Sequence, residues 1–169
     1  KLAANVFWKS DITTDFILSD SVRLGEVQID NGNIFFLEGR PSEKGRNAIV
    51  KMRDEKSKCI LPVEYNARSK VHEYGGGAYT VSKDRVYFIN FSDQRIYLLE
   101  KEKLTPITKE GNFSYSEMVI NEKLNKLYCI REDHSQEEIK NEIVNIDLKT
   151  KKISIVATGC DFYSSIAIN

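Results

Sequence analysis

The amino-acid sequence predicts an all-β fold built from repeated units, and two observations support this prediction. First, short aromatic-aliphatic runs recur at Ile34–Glu38, Val86–Asn90 and Leu127–Arg131, with starts that lie 52 and 41 residues apart. Second, helical periodicity is faint and confined to residues 135–143, where a long hairpin loop is the favoured interpretation. A period of about 40 to 50 residues with β-type segments is typical of a β-propeller, in which each unit is one four-stranded blade.

Each of three units is predicted to contain four strands separated by turn signals. The predicted strands are 24–30, 33–39, 46–53 and 58–63 in the first unit, 78–82, 85–91, 94–100 and 103–108 in the second, and 115–121, 126–132, 141–148 and 152–158 in the third. The three blades therefore span approximately 22–65, 76–109 and 113–159.

The order of strands within a blade follows from local chemistry. Asn31-Gly32 is a strong signal for a two-residue hairpin, because both residues tolerate the positive φ angles of a type I′ turn. The second strand of each unit is apolar almost without alternation, which predicts that both of its faces are buried between neighbouring blades. Pro62 and Pro106 lack a ladder donor, so the fourth strand is predicted to be the outermost one.

A fourth unit is predicted to start at residues 161–169, because the pattern of Tyr115–Asn121 returns as Tyr163–Asn169. Three blades and one strand cannot close a ring, since propellers typically have about four to eight blades. We therefore expect the free face of the first blade and the lone strand to expose apolar surface or to pair with another chain, including a second copy of this one.

Composition and charge exclude several classes of function. Twenty-five basic residues balance 25 acidic ones, so no overall field attracts nucleic acid or an anionic membrane surface. Apolar runs of about five residues are far shorter than the roughly 20 that a membrane-spanning helix needs. Cys59, Cys129 and Cys160 are too few and too scattered for a disulfide framework or a zinc site, which favours a reducing, cytoplasmic setting.

The densest group of candidate functional residues lies between the first two units. It contains Arg68, His72, Glu73 and Tyr74, followed by the glycine turn Gly75, Gly76 and Gly77. One interpretation is a loop that presents these polar side chains at the central channel or at an interdomain surface. The other is a structural crossover whose glycines fit beneath a bulky neighbour. A phosphate-binding loop is excluded, because no Lys-Ser/Thr pair follows the glycines.

A second group of charged residues joins two strands of the first unit. Arg40, Glu43 and Arg46 are interpreted as structural ion-pair residues, with each exposed pair worth about 0–1 kcal/mol. The alternative is that Arg40 or Arg46 anchors a carboxylate or an interdomain contact, since a guanidinium can bind a carboxylate through two hydrogen bonds.

Arg131 to His134 occupy the equivalent place in the third unit. Arg131 and Glu132 are further ion-pair candidates, and a solvated loop is favoured over metal binding by His134 with Glu132 or Asp133. With only two histidines in the chain, we predict no metal site and no cofactor. No serine lies in a GxSxG elbow, so no catalytic residue is assigned.

Five motifs occur in a fixed order along the chain. They are Arg40-Pro41-x-Glu43-x-Gly45-Arg46, Asn66-x-Arg68-x-x-Val71-His72-Glu73-Tyr74-Gly75-Gly76-Gly77, Val86-Tyr87-Phe88, Asp93-Gln94-Arg95-Ile96-Tyr97 and Arg131-Glu132-Asp133-His134. Together they resemble the prolyl oligopeptidase family of serine peptidases, specifically the N-terminal propeller of its dipeptidyl-aminopeptidase and acylaminoacyl-peptidase-like branch. The similarity runs from about Trp8 to the end of the chain.

The resemblance implies a seven-bladed propeller followed by an α/β-hydrolase domain with Ser, Asp and His, in which the propeller limits access to the catalytic cavity. Residues 1–169 contain about three blades and no hydrolase domain, so no family catalytic residue is carried over. We expect a piece of such a protein, arising by truncation, proteolysis or a split gene.

Its expected partners are the rest of the propeller, the hydrolase domain and, in the intact enzyme, short peptides. The expected function is a non-catalytic segment that helps gate substrate access to a peptidase site. The alternative is an interaction module that dimerises through exposed blade faces.

Overall fold

The structure is a computed structural model that describes residues 21–168. These residues form three four-stranded antiparallel sheets, and the strand order in each sheet is the order along the chain. The first residues of the family resemblance, 8–20, lie outside the described residues, and so does Asn169 of the predicted fourth unit. Within residues 21–168, no helix is long and apolar enough to cross a membrane.

Each sheet corresponds to one predicted blade. Blade 1 consists of β1 (Arg23–Asp30), β2 (Asn33–Arg40), β3 (Arg46–Arg53) and β4 (Lys56–Cys59), with a 3-10 turn at Pro41–Glu43. Blade 2 consists of β5 (Tyr79–Ser82), β6 (Arg85–Ile89), β7 (Ile96–Glu100) and β8 (Lys103–Pro106). Blade 3 consists of β9 (Phe113–Asn121), β10 (Lys126–Asp133), β11 (Lys140–Asp147) and β12 (Ile153–Thr158). Pro106 lies in the outermost strand of blade 2, as predicted.

The two ends of the blades differ in their connections. At one end, the turn face, tight hairpins join the strands. Asn31 and Gly32 have φ angles of 47° and 72°, which confirms the predicted type I′ turn, and Lys83 and Asp84 have φ angles of 53° and 59° at the equivalent place. The opposite end, the loop face, carries the longer connections at residues 40–46, 60–78, 90–95, 107–112 and 134–139.

Blade 2 lies between two hydrophobic cores. Along β6, Val86 and Phe88 pack into the core shared with blade 1, whereas Tyr87 and Ile89 pack into the core shared with blade 3. Successive side chains of a strand point to opposite faces, so a strand buried on both faces has an uninterrupted apolar sequence. The prediction that second strands are buried on both faces is therefore confirmed for blade 2.

The two largest departures from the predicted strands are at β4 and at residues 161–168. β4 ends at Cys59, four residues before the predicted end, because Leu61 belongs to the crossover and packs into the core between blades 1 and 2. Residues 161–168 form no strand, although their sequence repeats that of β9. A strand requires a neighbour for its ladder hydrogen bonds, and local sequence alone does not supply one.

The first strand of blade 1 and the last strand of blade 3 carry exposed apolar side chains. β1 exposes Leu24, Val27 and Ile29, and β12 exposes Ile155 and Val156. These exposed apolar side chains on the first and last blades match the expectation that outer blade faces expose apolar surface.

Candidate functional site on the loop face

The crossover from blade 1 to blade 2 contains the residues singled out in the sequence. We call residues 68–77 the strap. Its first part lies over blade 2, where the Arg68 N–H donates to the carbonyl of Ile89 at 3.0 Å. The Lys70 N–H donates to Gln94 Oε1 at 2.8 Å. These bonds fix the strap along the loop-face end of β6 and β7.

The strap then continues beyond blade 2 to blade 3. The Ser69 hydroxyl donates to the carbonyl of Tyr115 at 2.6 Å, and both residues are buried. The backbone N–H of His72 donates to Glu132 Oε1 at 2.8 Å. A crossover between the first two blades is thus anchored in the third one as well.

Glu132 is the centre of a small polar cluster at the end of β10. Its side chain is only 6% exposed, and its Oε2 lies 3.1 Å from His134 Nε2. His72 Nδ1 lies 2.9 Å from Glu132 Oε1, in an orientation that makes no hydrogen bond. On its other side, the His72 ring meets the ring of Phe162 edge-on at 5.0 Å, and its Nε2 lies 3.4 Å from the carbonyl of Tyr163.

The three glycines accommodate close contacts. Gly75 has a φ angle of +85°, and its N–H donates to the carbonyl of Val71 at 2.9 Å. A Cβ atom at Gly76 would lie 3.0 Å from Glu117 Oε1 and 3.1 Å from Ser116 Cβ. The Gly77 N–H donates to the same Glu117 oxygen at 2.6 Å. This geometry supports the structural interpretation of the glycines, since they fit beneath a neighbouring strand.

The polar side chains of the strap have different surroundings. Tyr74 is 94% exposed, and Glu73 beside it is also exposed. Arg68 is exposed too, with its guanidinium carbon 5.1 Å from the centroid of the Phe91 ring. His72 is half-buried against Glu132. The strap therefore presents Arg68, Glu73 and Tyr74 to solvent while His72 anchors it.

Arg40, Glu43 and Arg46 form a connected set of ion pairs at the other side of the loop face. Arg40 contacts Glu38 at 2.7 Å and Glu43 at 3.0 Å, and the hydrogen bond with Glu38 is the main reason that the pKa of Arg40 is raised. Arg46 binds Glu43, which lowers the pKa of the Glu43 carboxyl, and also donates to the carbonyl of Tyr65 at 3.1 Å.

Arg131 and Glu132 do not pair with each other, because adjacent strand residues point to opposite faces. Arg131 Nε donates to Glu142 Oε2 at 2.8 Å, and both side chains are largely buried. The Arg131 guanidinium also lies 4.7 Å from the centroid of the Phe113 ring. Within residues 21–168, no three His, Cys, Asp or Glu side chains form a group that could hold a metal ion.

Two glutamates that the sequence reasoning missed flank the start of β5. Glu26 Oε2 accepts a hydrogen bond from the Ala78 N–H at 2.9 Å, and Glu117 binds Gly77 from the other side. Both glutamates have positive φ angles, 49° and 53°, at bulges in β1 and β9. Burial is the main cause that raises the pKa of Glu26. The sequence contains a repeated signal for these two glutamates, because a small residue precedes Glu at both Gly25-Glu26 and Ser116-Glu117.

Three solved peptidase structures resemble this fold. A puromycin-hydrolysing peptidase from Mycobacterium tuberculosis aligns with 86% of this chain at 27% sequence identity and a TM-score of 0.78. A puromycin hydrolase aligns with 89% at 21% identity and a TM-score of 0.76. The acylaminoacyl peptidase of Pyrococcus horikoshii aligns with 82% at 12% identity and a TM-score of 0.59. No protein-family model and no curated protein sequence matches the chain.

The fold therefore defines a β-propeller segment of three four-stranded blades, followed by the beginning of a fourth unit at residues 161–168, which adds no strand to a sheet. The chain covers only 26%, 26% and 25% of the lengths of these three structures. The resemblance to the propeller of prolyl oligopeptidase-type peptidases, first drawn from the five sequence motifs, is confirmed by these structural matches.

Proposed function

We propose that this chain is the non-catalytic propeller segment of a serine peptidase of the prolyl oligopeptidase type. In the intact protein its loop face would lie towards a hydrolase domain and limit which substrates reach the active site. The proposed substrates are short peptides or peptides with an acylated N-terminus, and the proposed location is the cytoplasm. Neither nucleic acid nor a membrane surface is a proposed partner, since positive and negative charges balance.

One observation carries this proposal: the match to the puromycin-hydrolysing peptidase covers 86% of the chain at 27% identity. The position of the candidate side chains supports it. Arg68, Glu73 and Tyr74 are exposed together on the loop face, where long connections lie, while the turn face carries tight hairpins. Binding residues are found preferentially on loops held by a rigid scaffold, which favours the loop face as the side of substrate passage.

The test uses the intact protein that contains this chain. Tyr74→Ala removes the most exposed aromatic ring of the strap, and Leu124→Ala removes an exposed apolar side chain from the turn face. We expect Tyr74→Ala to change the ratio of kcat/KM for an eight-residue peptide and a dipeptide about tenfold (roughly 1.4 kcal/mol), and Leu124→Ala to leave it unchanged. A lower melting temperature with an unchanged ratio would show that Tyr74 is structural and would contradict the gating role.

A second candidate function is an interaction module that dimerises through its outer blades. The observation that favours it is the exposed apolar surface of β1 and β12, which includes Leu24, Ile29 and Ile155. Light scattering of the 169-residue chain should then show a dimer that Ile29→Lys converts to a monomer. A monomer at high concentration before substitution would count against this function.

A further inference from the structure

The tip of the strap depends on blade 3 for its position. The tip consists of residues 72–76, between the buried side chain of Val71 and the anchor at Gly77. Its backbone is bonded to blade 3 through the His72 N–H, which donates to Glu132. The His72 ring also touches the segment after blade 3, with Nε2 3.4 Å from the carbonyl of Tyr163. The carboxylate is buried, and a hydrogen bond from an N–H to a buried carboxylate is stronger than one between neutral groups.

The backbone of the tip is held in an unfavourable conformation. His72 and Glu73 have φ angles of 55° and 61°, in the left-handed region that residues with a Cβ atom rarely adopt, and Gly75 follows at 85°. Such conformations persist only where surrounding contacts impose them. Two turn hydrogen bonds lie within the strap, from the Glu73 N–H to the carbonyl of Lys70 and from the Gly75 N–H to the carbonyl of Val71. The contact that another blade adds is the hydrogen bond from the first left-handed residue, His72, to Glu132.

The tip also has space into which it can move. An open cleft of about 840 Å³ lies beside the tip and is lined by His72 and Tyr74 together with residues 138–141 and 158–162. Ser69 and Gly77 are held independently of Glu132, by Tyr115 and by Glu117. Loss of the Glu132 contact would therefore release the tip alone and leave both ends of the strap in place.

We propose that Glu132 is a latch for a movable strap, and that opening this latch lets residues 72–76 leave their strained conformation and carry Tyr74 away from its present position. The consequence for substrates rests on the proposed gating function, of which the strap tip is the moving part. The latch itself is a property of these blades, so it is tested separately from catalysis.

The first experiment measures amide hydrogen exchange in the 169-residue chain. Glu132→Gln keeps the shape of the side chain and removes its charge, and Glu132→Ala removes the contact. Glu138→Gln is the matched control, because Glu138 lines the same cleft and is exposed. We expect exchange of residues 72–76 to become about tenfold faster in Glu132→Gln and faster still in Glu132→Ala. Exchange in β6 and β7, and in the control, should be unchanged.

Two results would overturn the latch. One is unchanged exchange of the tip in Glu132→Gln. The other is faster exchange shared equally by β6 and β7, which would mean that Glu132 supports blade 3 as a whole. If Glu132→Ala does not fold, Glu132→Gln decides the question alone.

The second experiment separates the latch from the gate. In the intact protein, Glu132→Gln should raise kcat/KM for an eight-residue peptide relative to a dipeptide about threefold. Faster exchange of the tip without a change in this ratio would leave the latch standing and contradict the gating function. Unchanged exchange would contradict the latch, whatever the kinetics show.

Discussion

Blade 2 and its two neighbours share one architecture but bury their strands differently. In blade 2, Val86 to Ile89 are all buried, and consecutive side chains enter different cores. In the outer blades, β2 and β10 have similar apolar sequences, but Phe36 and Tyr128 in these strands are only half-buried. β1 and β12 also leave Leu24 and Ile155 exposed. The difference shows that a similar apolar sequence is buried on both faces only in the blade that has a neighbour on both sides. It also shows that the apolar residues of the outer strands are suited to a neighbour that residues 21–168 do not provide.

The strongest test of this comparison is Phe88→Ala in the middle of blade 2. Phe88 is fully buried and stacks on Tyr97 with ring centroids 5.7 Å apart. Removal of the ring leaves a cavity, so we expect the free energy of unfolding to fall by about 3–5 kcal/mol. Urea denaturation measures the change, and a loss below about 1 kcal/mol would mean that blade 2 is not the most tightly packed part of the protein.

A smaller effect is expected where the strap enters blade 2. Gly75→Ala places a side chain at a φ angle of +85° and a Cβ atom 3.1 Å from the carbonyl oxygen of Ser69, so it should cost about 1–2 kcal/mol. Gly32→Ala is the matched control: its φ angle of +72° is similar, but no atom lies within 4 Å of the new Cβ. Equal losses in urea denaturation would show that the Ser69 contact has no effect.

The charged set in blade 1 should make stability depend on pH. The Arg46 and Arg40 guanidinium groups hold the pKa of Glu43 below the ordinary value of 4.5. The ionised Glu43 carboxylate therefore contributes fully to the free energy of unfolding above pH 4.5. This contribution is lost as the pH falls through the lower pKa that Glu43 has in the folded state. The melting temperatures of the wild type and of Glu43→Gln should differ at pH 7 and become equal in strong acid. A constant difference between pH 7 and pH 3 would contradict this assignment.

The smallest effect is expected at the free face of blade 1. Ile29 is 73% exposed, so Ile29→Ser should change the free energy of unfolding by less than about 0.5 kcal/mol. A loss comparable to that of Phe88→Ala, measured in the same urea experiment, would show that this face is already covered.

Most of the fold could be predicted because the responsible signals are local. Asn31-Gly32 specifies its own turn, and the apolar runs around Phe36, Phe88 and Cys129 lie in the second strand of each sheet. The end of β4 was predicted wrongly because Leu61 is apolar and buried in a crossover, and apolar sequence reports burial rather than hydrogen-bonded pairing.

The site was predicted only in part. The sequence brought Arg68, His72, Glu73 and Tyr74 together because they are neighbours in the chain. It did not predict that His72 would meet Glu132, since that contact joins residues 60 positions apart through the path of the crossover. Glu26 and Glu117 were missed for the same reason, although their repeated position in β1 and β9 was visible.

The route of the strap has a consequence for the order in which the protein is assembled during synthesis. Ser69 and His72 find their partners 46 and 60 residues later in the chain. At roughly 5–20 residues per second, a ribosome adds Glu132 about 3–12 s after His72. Once residue 106 has been added, blade 2 is complete, but the strap tip lacks its contact in blade 3 until Glu132 is added. A nascent chain arrested just before residue 132 should therefore be cut by proteases at residues 72–76, and one arrested well beyond blade 3 should resist.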